Sequence, residues 1–356
     1  MSKSTEISAP EDAILSLMKT VRCAIIGCGG YAGAHARRLS ARDDVQIVAL
    51  ASRTASSIER LIERRLSDYT PAPTQYTSWE TLLEREKPDA VVLSKPHHLH
   101  FEQAVRAMDA GCHVLIEKPM AVSLDEAKLI HERANQLRGS GRSLKVGVCY
   151  NPAFSPAMER VRSAVASGSH GRLELVTGYL SQNWQALTAG SWRQTPKDSG
   201  GGQTMDSGSH MIHSLLSGVG ARAREVFAYS DNRGSDVDIN TVVSVRFENG
   251  VLANLTIGGN SAVDGSHTSF IFTDGRIDVD AWKGEWVRSY RSDGEPEVLE
   301  NLGEPSPDDN FIDAILNKAD LVVTDTDGLH VAALTQTLYR SIESGKPEQV
   351  VYPEGA

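Results

Sequence analysis

Short, almost continuously apolar runs alternate with amphipathic stretches through residues 21–149. The runs at 21–27, 46–51, 89–94, 113–117 and 144–149 suit strands buried on both faces of a parallel sheet. Between them the period changes. Ile58, Leu61, Ile62 and Leu66 recur at helical spacing with charges between them. Residues 31–41 and 99–111 also read as helices, the second stopped by Gly111 at a C-cap position. Thr77 with Glu80, and Ser123 with Glu126, have capping-box spacing, the second pair opening a helix through Ala134. Repeated βα units of this length predict a doubly wound parallel sheet with right-handed crossovers.

The pattern changes near residue 150. Residues 173–180 read as a strand. Asn249-Gly250 and Asp274-Gly275 each join two strand-like runs, and Ser292-Asp293-Gly294 marks a third turn, which together predict an antiparallel meander. Phe311, Ile312 and Ile315, then Leu329, Ala332, Ala333 and Leu338, mark two late helices. The fold class is therefore α/β: an N-terminal Rossmann doubly wound parallel sheet plus a C-terminal α+β domain with a mostly antiparallel, open sheet. The expected division is a flexible tail over 1–19, a nucleotide-binding domain over 20–149, and a substrate-binding and oligomerisation domain over 150–356.

Composition narrows the classes. Hydrophobic residues at 40% and charged residues at 23% are ordinary for a globular protein with a core. The net charge of −10 gives no electrostatic reason to bind nucleic acid or anionic lipid. No stretch approaches the roughly 20 apolar residues that span a bilayer, and residues 1–20 lack the basic-then-apolar order of a signal peptide. Cys23, Cys28, Cys112 and Cys149 are widely spaced, with no CxxC among them. They read as reduced core residues of a cytoplasmic protein, with neither a disulfide framework nor a zinc site.

Gly27-Cys28-Gly29-Gly30-Tyr31-Ala32 fits G-x-G-x-x-[GA] between a strand and a helix, the context in which that motif binds a dinucleotide. Gly27 permits the tight turn, Gly29 lets backbone approach a pyrophosphate, and small Ala32 lets helix and strand pack closely. An acid at the end of the second strand would bind the ribose 2′-hydroxyl of NAD. Ser52 and Arg53 stand there instead and suit a 2′-phosphate, so NADP is favoured, with NAD possible. Ser94-Lys95-Pro96-His97-His98-Leu99-His100 and Glu117-Lys118-Pro119 lie at later strand ends, which aims them at the nicotinamide half of the cleft. His97, His98 and His100 have no carboxylate or cysteine at metal-ligand spacing, so no metal is expected there. Farther on, glycines 200–202 precede Asp206, His210 and His213. On a helix, Asp206 and His210 share one face, a way to orient a proton carrier.

These motifs together resemble the glucose–fructose oxidoreductase, inositol dehydrogenase and MocA-like family (Gfo/Idh/MocA). The resemblance runs from Arg22 to about Val351. It rests on the stretch from Gly27 to His35, Pro96 with His100, Ala110-Gly111-Cys112-His113-Val114 with Glu117-Lys118-Pro119, Gly201-Gly202 with Asp206-Ser207-Gly208-Ser209-His210, and Ser344-Gly345-Lys346-Pro347. Two positions depart from the family pattern: Lys95 stands where Thr is usual, and His213 where Asp is usual. The resemblance implies a dehydrogenase or reductase that passes hydride between nicotinamide and a carbinol or keto carbon of a sugar, cyclitol or related polyol. Lys118 would bond the reacting oxygen, His210 would be its general acid/base, and Asp206 would position His210 or the substrate. Either His210 or a desolvated Lys118 could be the base. Cofactor contacts fall to Gly27, Gly29, Gly30, Tyr31, Ala32, Ser52, Arg53, Ser94, Pro96, His100, Glu117 and Lys118. Trp192 and Arg193, in a loop with Asn183 and Trp184, suit a sugar, and His213 joins them as a substrate contact.

Two other classes compete: a glycosidase that keeps its NAD and oxidises transiently, known on this fold, and a nucleotide-binding sensor without catalysis. A sensor would need none of Lys118, Asp206 and His210. No Tyr-x-x-x-Lys, Walker A or G-x-S-x-G motif is present. The family also implies a homodimer or homotetramer built on the open sheet.

Overall fold

A computed structural model describes residues 20–303 and 306–353. The tail expected over 1–19 lies outside the described residues. Six strands make the first sheet: β1 (Val21–Ile26), β2 (Val45–Ala51), β3 (Thr74–Tyr76), β4 (Ala90–Leu93), β5 (His113–Ile116) and β6 (Val146–Val148). All pair in parallel, in the order β3-β2-β1-β4-β5-β6. The order reverses between β1 and β4, so a crevice opens at their carboxyl ends, where such sheets bind ligands. β3 is a three-residue edge strand with no buried position, which is why apolar patterning passes over it. Ser78, not Thr77, caps the helix Trp79–Glu86, and its side chain accepts from the Thr81 amide. Ser123 caps Leu124–Gly139, but Glu126 accepts from the Val122 amide, so that box is only half formed.

Nine strands make the second sheet: β7 (Leu173–Ser181), β8 (Ala223–Asp231), β9 (Asn240–Phe247), β10 (Leu252–Gly258), β11 (Gly265–Phe272), β12 (Gly275–Val279), β13 (Trp286–Arg291), β14 (Glu297–Glu300) and β15 (Glu348–Gln349). The order is β14-β13-β12-β11-β7-β10-β9-β8-β15. The three expected hairpins form. The meander is interrupted once: β7 inserts between β11 and β10 and runs parallel to β10. Strict alternation in β9 sends Val243, Val245 and Phe247 into the core. The opposite face leaves Leu175, Tyr179, Tyr229, Val242 and Leu252 exposed.

The late chain returns to the first sheet. Helix Pro307–Ile315 buries Phe311, Ile312 and Ile315 with Val21, Ile25, Ala36 and Leu39. Its first turn carries Asp308, fully buried against His35 and Arg38.

Candidate active site

Gly27 ends β1 with φ +107°, and its amide donates to the Ala51 carbonyl at 2.8 Å. A Cβ there would stand 2.0 Å from the Ser94 carbonyl oxygen, so only glycine lets β1 and β4 end side by side. Gly29 and Gly30 differ. Among the described residues, chain neighbours aside, no atom lies within 4 Å of where their Cβ would be, and both line the cleft. That open backbone fits a dinucleotide's phosphates. Ala32 is buried at the start of helix Ala32–Ser40. Ser52 and Arg53 follow β2 at the same sheet edge, the latter exposed. Lys95 reaches back over the turn, where its Cδ would lie 3.2 Å from a Gly27 Cβ. Burial, and after it the opposing pull of Cys28 and push of Arg53, leave its ammonium less basic than usual.

A cleft of about 330 Å³ runs from this turn, past Ser94, Pro96, Glu117 and Lys118, to Trp192, Arg193, Asp206 and His210. Asp206 is its hub. Lys118 Nζ donates to Oδ1 at 2.5 Å, while Trp184 Nε1 at 2.8 Å and Arg193 Nε at 3.0 Å donate to Oδ2. Burial would raise this carboxyl. The charges of Lys118, His97 and Arg193 outweigh it and hold Asp206 well below the carboxylate range. The expected Asp206–His210 pairing is absent. Helix Gly208–Val219 begins only after Asp206, so the two do not share a helical face. The segment before it is set by Asp238, whose carboxylate accepts from the amides of Gly202 at 2.7 Å and Thr204 at 2.8 Å. A Cβ on Gly202 would stand 1.9 Å from the Asp238 carbonyl oxygen, which accounts for that glycine.

His210 lines the cleft from the first turn of its helix, 92% buried, and its Nδ1 has no hydrogen-bond partner. Burial, then the Lys118 charge, hold its pKa well below the usual histidine value, against a smaller opposing effect of Asp206. The ring is therefore neutral at neutral pH; Nδ1 is shut off from solvent, and a ligand in the cleft meets the small exposed part of the residue. Glu117 accepts from His35 Nε2 at 3.1 Å, and His35 Nδ1 bonds Asp308 at 2.7 Å. Burial opposes a charge on His35, yet Asp308 and Glu117 raise it to about 10. His35, Glu117 and Cys149 bring ligand-type atoms within 4.8 Å of one another. Both imidazole nitrogens already serve carboxylates, so no lone pair remains for an ion.

Gly27, Ala32, Ser52 and Arg53 are outside the cleft lining, and two more expected contacts, His100 and His213, also stand away from it. His100 is fully buried behind it, its nitrogens on the Pro119 and Lys95 carbonyls at 2.8 and 2.9 Å, where it struts the two motif turns together. His213, one turn beyond His210, is buried and stacked on Tyr150 with centroids 4.6 Å apart. The cleft also holds residues that spacing did not single out. Lys95 and His97 come with their motif, Asn151 donates to the Tyr31 hydroxyl, and Trp282 enters from the β12–β13 turn. Trp282 had one signal in the sequence, a large aromatic between Asp280 and Lys283 just after a strand.

The model of the oxidoreductase family with an NAD-binding Rossmann fold, GFO/IDH/MocA, matches residues 21–140, and the GFO/IDH/MocA C-terminal domain model matches 158–278. The chain belongs to the Gfo/Idh/MocA oxidoreductase family. Among curated relatives, D-glucoside 3-dehydrogenase of Escherichia coli is 29% identical over 213 residues, 59% of this chain and 57% of that one. A glycosyl hydrolase family 109 protein of Shewanella pealeana is 29% identical over 127 residues, 35% of this chain and 28% of that one. The chain thus spans little more than half the length of the first curated relatives, 57% and 52%. A solved structure, levoglucosan dehydrogenase in complex with NADH and levoglucosan, superposes with a TM-score of 0.82 over 93% of this chain and 99% of that one, at 19% identity. At that identity the likeness is one of fold.

Proposed function

We propose that the chain is an NADP(H)-dependent oxidoreductase that exchanges hydride with a carbinol or keto carbon of a sugar, cyclitol or related polyol. The observation that carries this reading is His210, a histidine held below its usual basicity, lining one cleft with Lys118 and the open glycine turn. The nicotinamide, when bound, accepts or supplies the hydride. Lys118, held by Asp206, donates an N–H to the reacting oxygen. In oxidation, neutral His210 takes the hydroxyl proton as the carbon loses hydride; in reduction it returns a proton to the oxygen. Asp206 is too weak a base for that role and acts as the anchor of Lys118 and Arg193. Glu117, pinned by His35, lines the cofactor side of the cleft with Ser94 and Pro96.

NADP is preferred because Ser52 and Arg53, rather than an acid, follow β2, and Lys95 from the neighbouring β4 end adds positive charge. A panel of sugars, cyclitols and keto-sugars, read by nicotinamide absorbance with both cofactors, tests the reading. Absence of any absorbance change across the panel overturns it. A second reading is a glycosidase with retained NAD, favoured by the family 109 relative. It would release a hydrolysed sugar with no net absorbance change. The exposed apolar face of the second sheet supports a homodimer or homotetramer, and four free, buried cysteines suit the cytoplasm.

A further inference from the structure

Past His210 the cleft opens into a second chamber of about 720 Å³, more than twice the 330 Å³ of the first. Tyr31, Asn151, His210 and Trp282 line both, so the proton-handling group stands at the junction. We propose that the substrate is larger than one sugar ring: a glycoside or disaccharide whose second ring or aglycone lies on Trp282. This rests on the dehydrogenase reading above and names its substrate class.

Three observations carry it. The first is room. The first chamber must hold the nicotinamide end of the cofactor and the ring being oxidised. A free monosaccharide would leave the larger chamber to water. The second is construction. The Asp280 carboxylate accepts from the backbone amides of Trp282 and Lys283, each at 3.1 Å, and of Glu285 at 3.4 Å. Ser214 Oγ donates to the Ala281 carbonyl at 2.9 Å, and Ser214 lies one turn beyond His210 on the same helix. The turn that presents Trp282 is therefore fixed with respect to His210. The third is chemistry. A half-buried indole offers an apolar face to sugar C–H groups, and Asn301, Glu285 and Lys283 offer donors and acceptors to hydroxyls around it. Lys283 Nζ lies 4.8 Å from the indole centroid, an exposed cation–π contact weak enough for a sugar ring to displace.

The experiment compares free monosaccharides and cyclitols with their methyl and phenyl glycosides and with disaccharides, by kcat/KM with saturating NADP. Glycosides or disaccharides are expected to lead their free sugars by about tenfold, the upper scale of one aromatic contact. Trp282→Ala should bring that ratio close to one, and Trp282→Phe, which keeps a ring, should retain most of it. The comparison on the unaltered protein stands even if the alanine variant fails to fold. A preference for free sugars, or a ratio that Trp282→Ala leaves in place, overturns the second subsite while the dehydrogenase reading survives. No turnover of either group overturns both.

Discussion

At the residue scale the deciding feature is how charge is shared around Asp206. Spacing in the sequence pairs it with His210. The fold instead gives it Lys118, Trp184 and Arg193, because the glycine-rich turn swings it out of the helix that carries His210. Residues fixed by a motif at a strand end, such as Gly27, Glu117 and Lys118, were legible from the sequence. Trp184 was legible in its loop but not as a partner of Asp206, and Trp282 was not singled out, because no local pattern encodes where a loop lands. His210→Ala and Lys118→Ala should each lower turnover about a hundredfold or more, with cofactor affinity retained in titrations. The double variant should lose far less than the product, since both groups act on one oxygen. Near-normal turnover in His210→Ala would transfer the proton role to Lys118. The pH profile offers a separate check. His210 is held well below its ordinary value of 6.5, so its basic form persists into acid. The acid limb of kcat/KM for oxidation should therefore lie well below pH 6.5, and a limb at or above that value would remove His210 as the base.

At the element scale, the strands of the first sheet other than the edge strand β3 followed from apolar runs, because a parallel sheet covered on both faces demands them. The hairpins followed from their turn dipeptides. The insertion of β7 did not, since its neighbours β10 and β11 lie far along the chain and no short-range signal joins them. Glycines show how packing rather than turn chemistry can fix a residue. Gly202→Ala would drive a methyl onto the Asp238 backbone, and should destabilise by about 1–3 kcal/mol while disturbing Asp206. Gly139→Ala, in a helix with no atom within 4 Å of the new methyl, should be neutral or stabilise by about 0.4–1 kcal/mol. Urea denaturation of the pair would distinguish them, and equal midpoints would refute this account of Gly202.

At the scale of the whole molecule, buried histidines set the response to pH. Burial lowers His97 to about 3 and also lowers His100, His210 and His213. The unfolded chain binds protons at these groups near pH 6.5 and the native state does not, so stability should fall as pH drops below 6.5. His35, raised to about 10, works in the other direction: its contribution is complete below pH 6.5 and is lost as pH rises toward 10. Melting temperature should therefore peak near neutrality, and a flat profile between pH 7 and 4 would contradict this sum. Association is the second property at this scale. Leu252→Lys and Tyr229→Glu, on the open face, should shift the protein toward monomer in light scattering without altering the fold. An unaltered protein that is already monomeric at high concentration would rule out that face as an interface.

The return of helix Pro307–Ile315 to the first sheet also has a bearing on synthesis. Val21, Ile25 and Leu39 have their partners Phe311 and Ile312 near the far end of the chain. At about 5–20 residues per second, Asp308 leaves the ribosome roughly ten to thirty seconds after Cys149. Throughout that interval the nascent cofactor half has all its strands but bare apolar flanks, and its His35 lacks Asp308, keeping Glu117 as a carboxylate partner. A chain cut after β6 would be trapped in that state, so the excised nucleotide-binding half should aggregate unless the late helix is supplied with it.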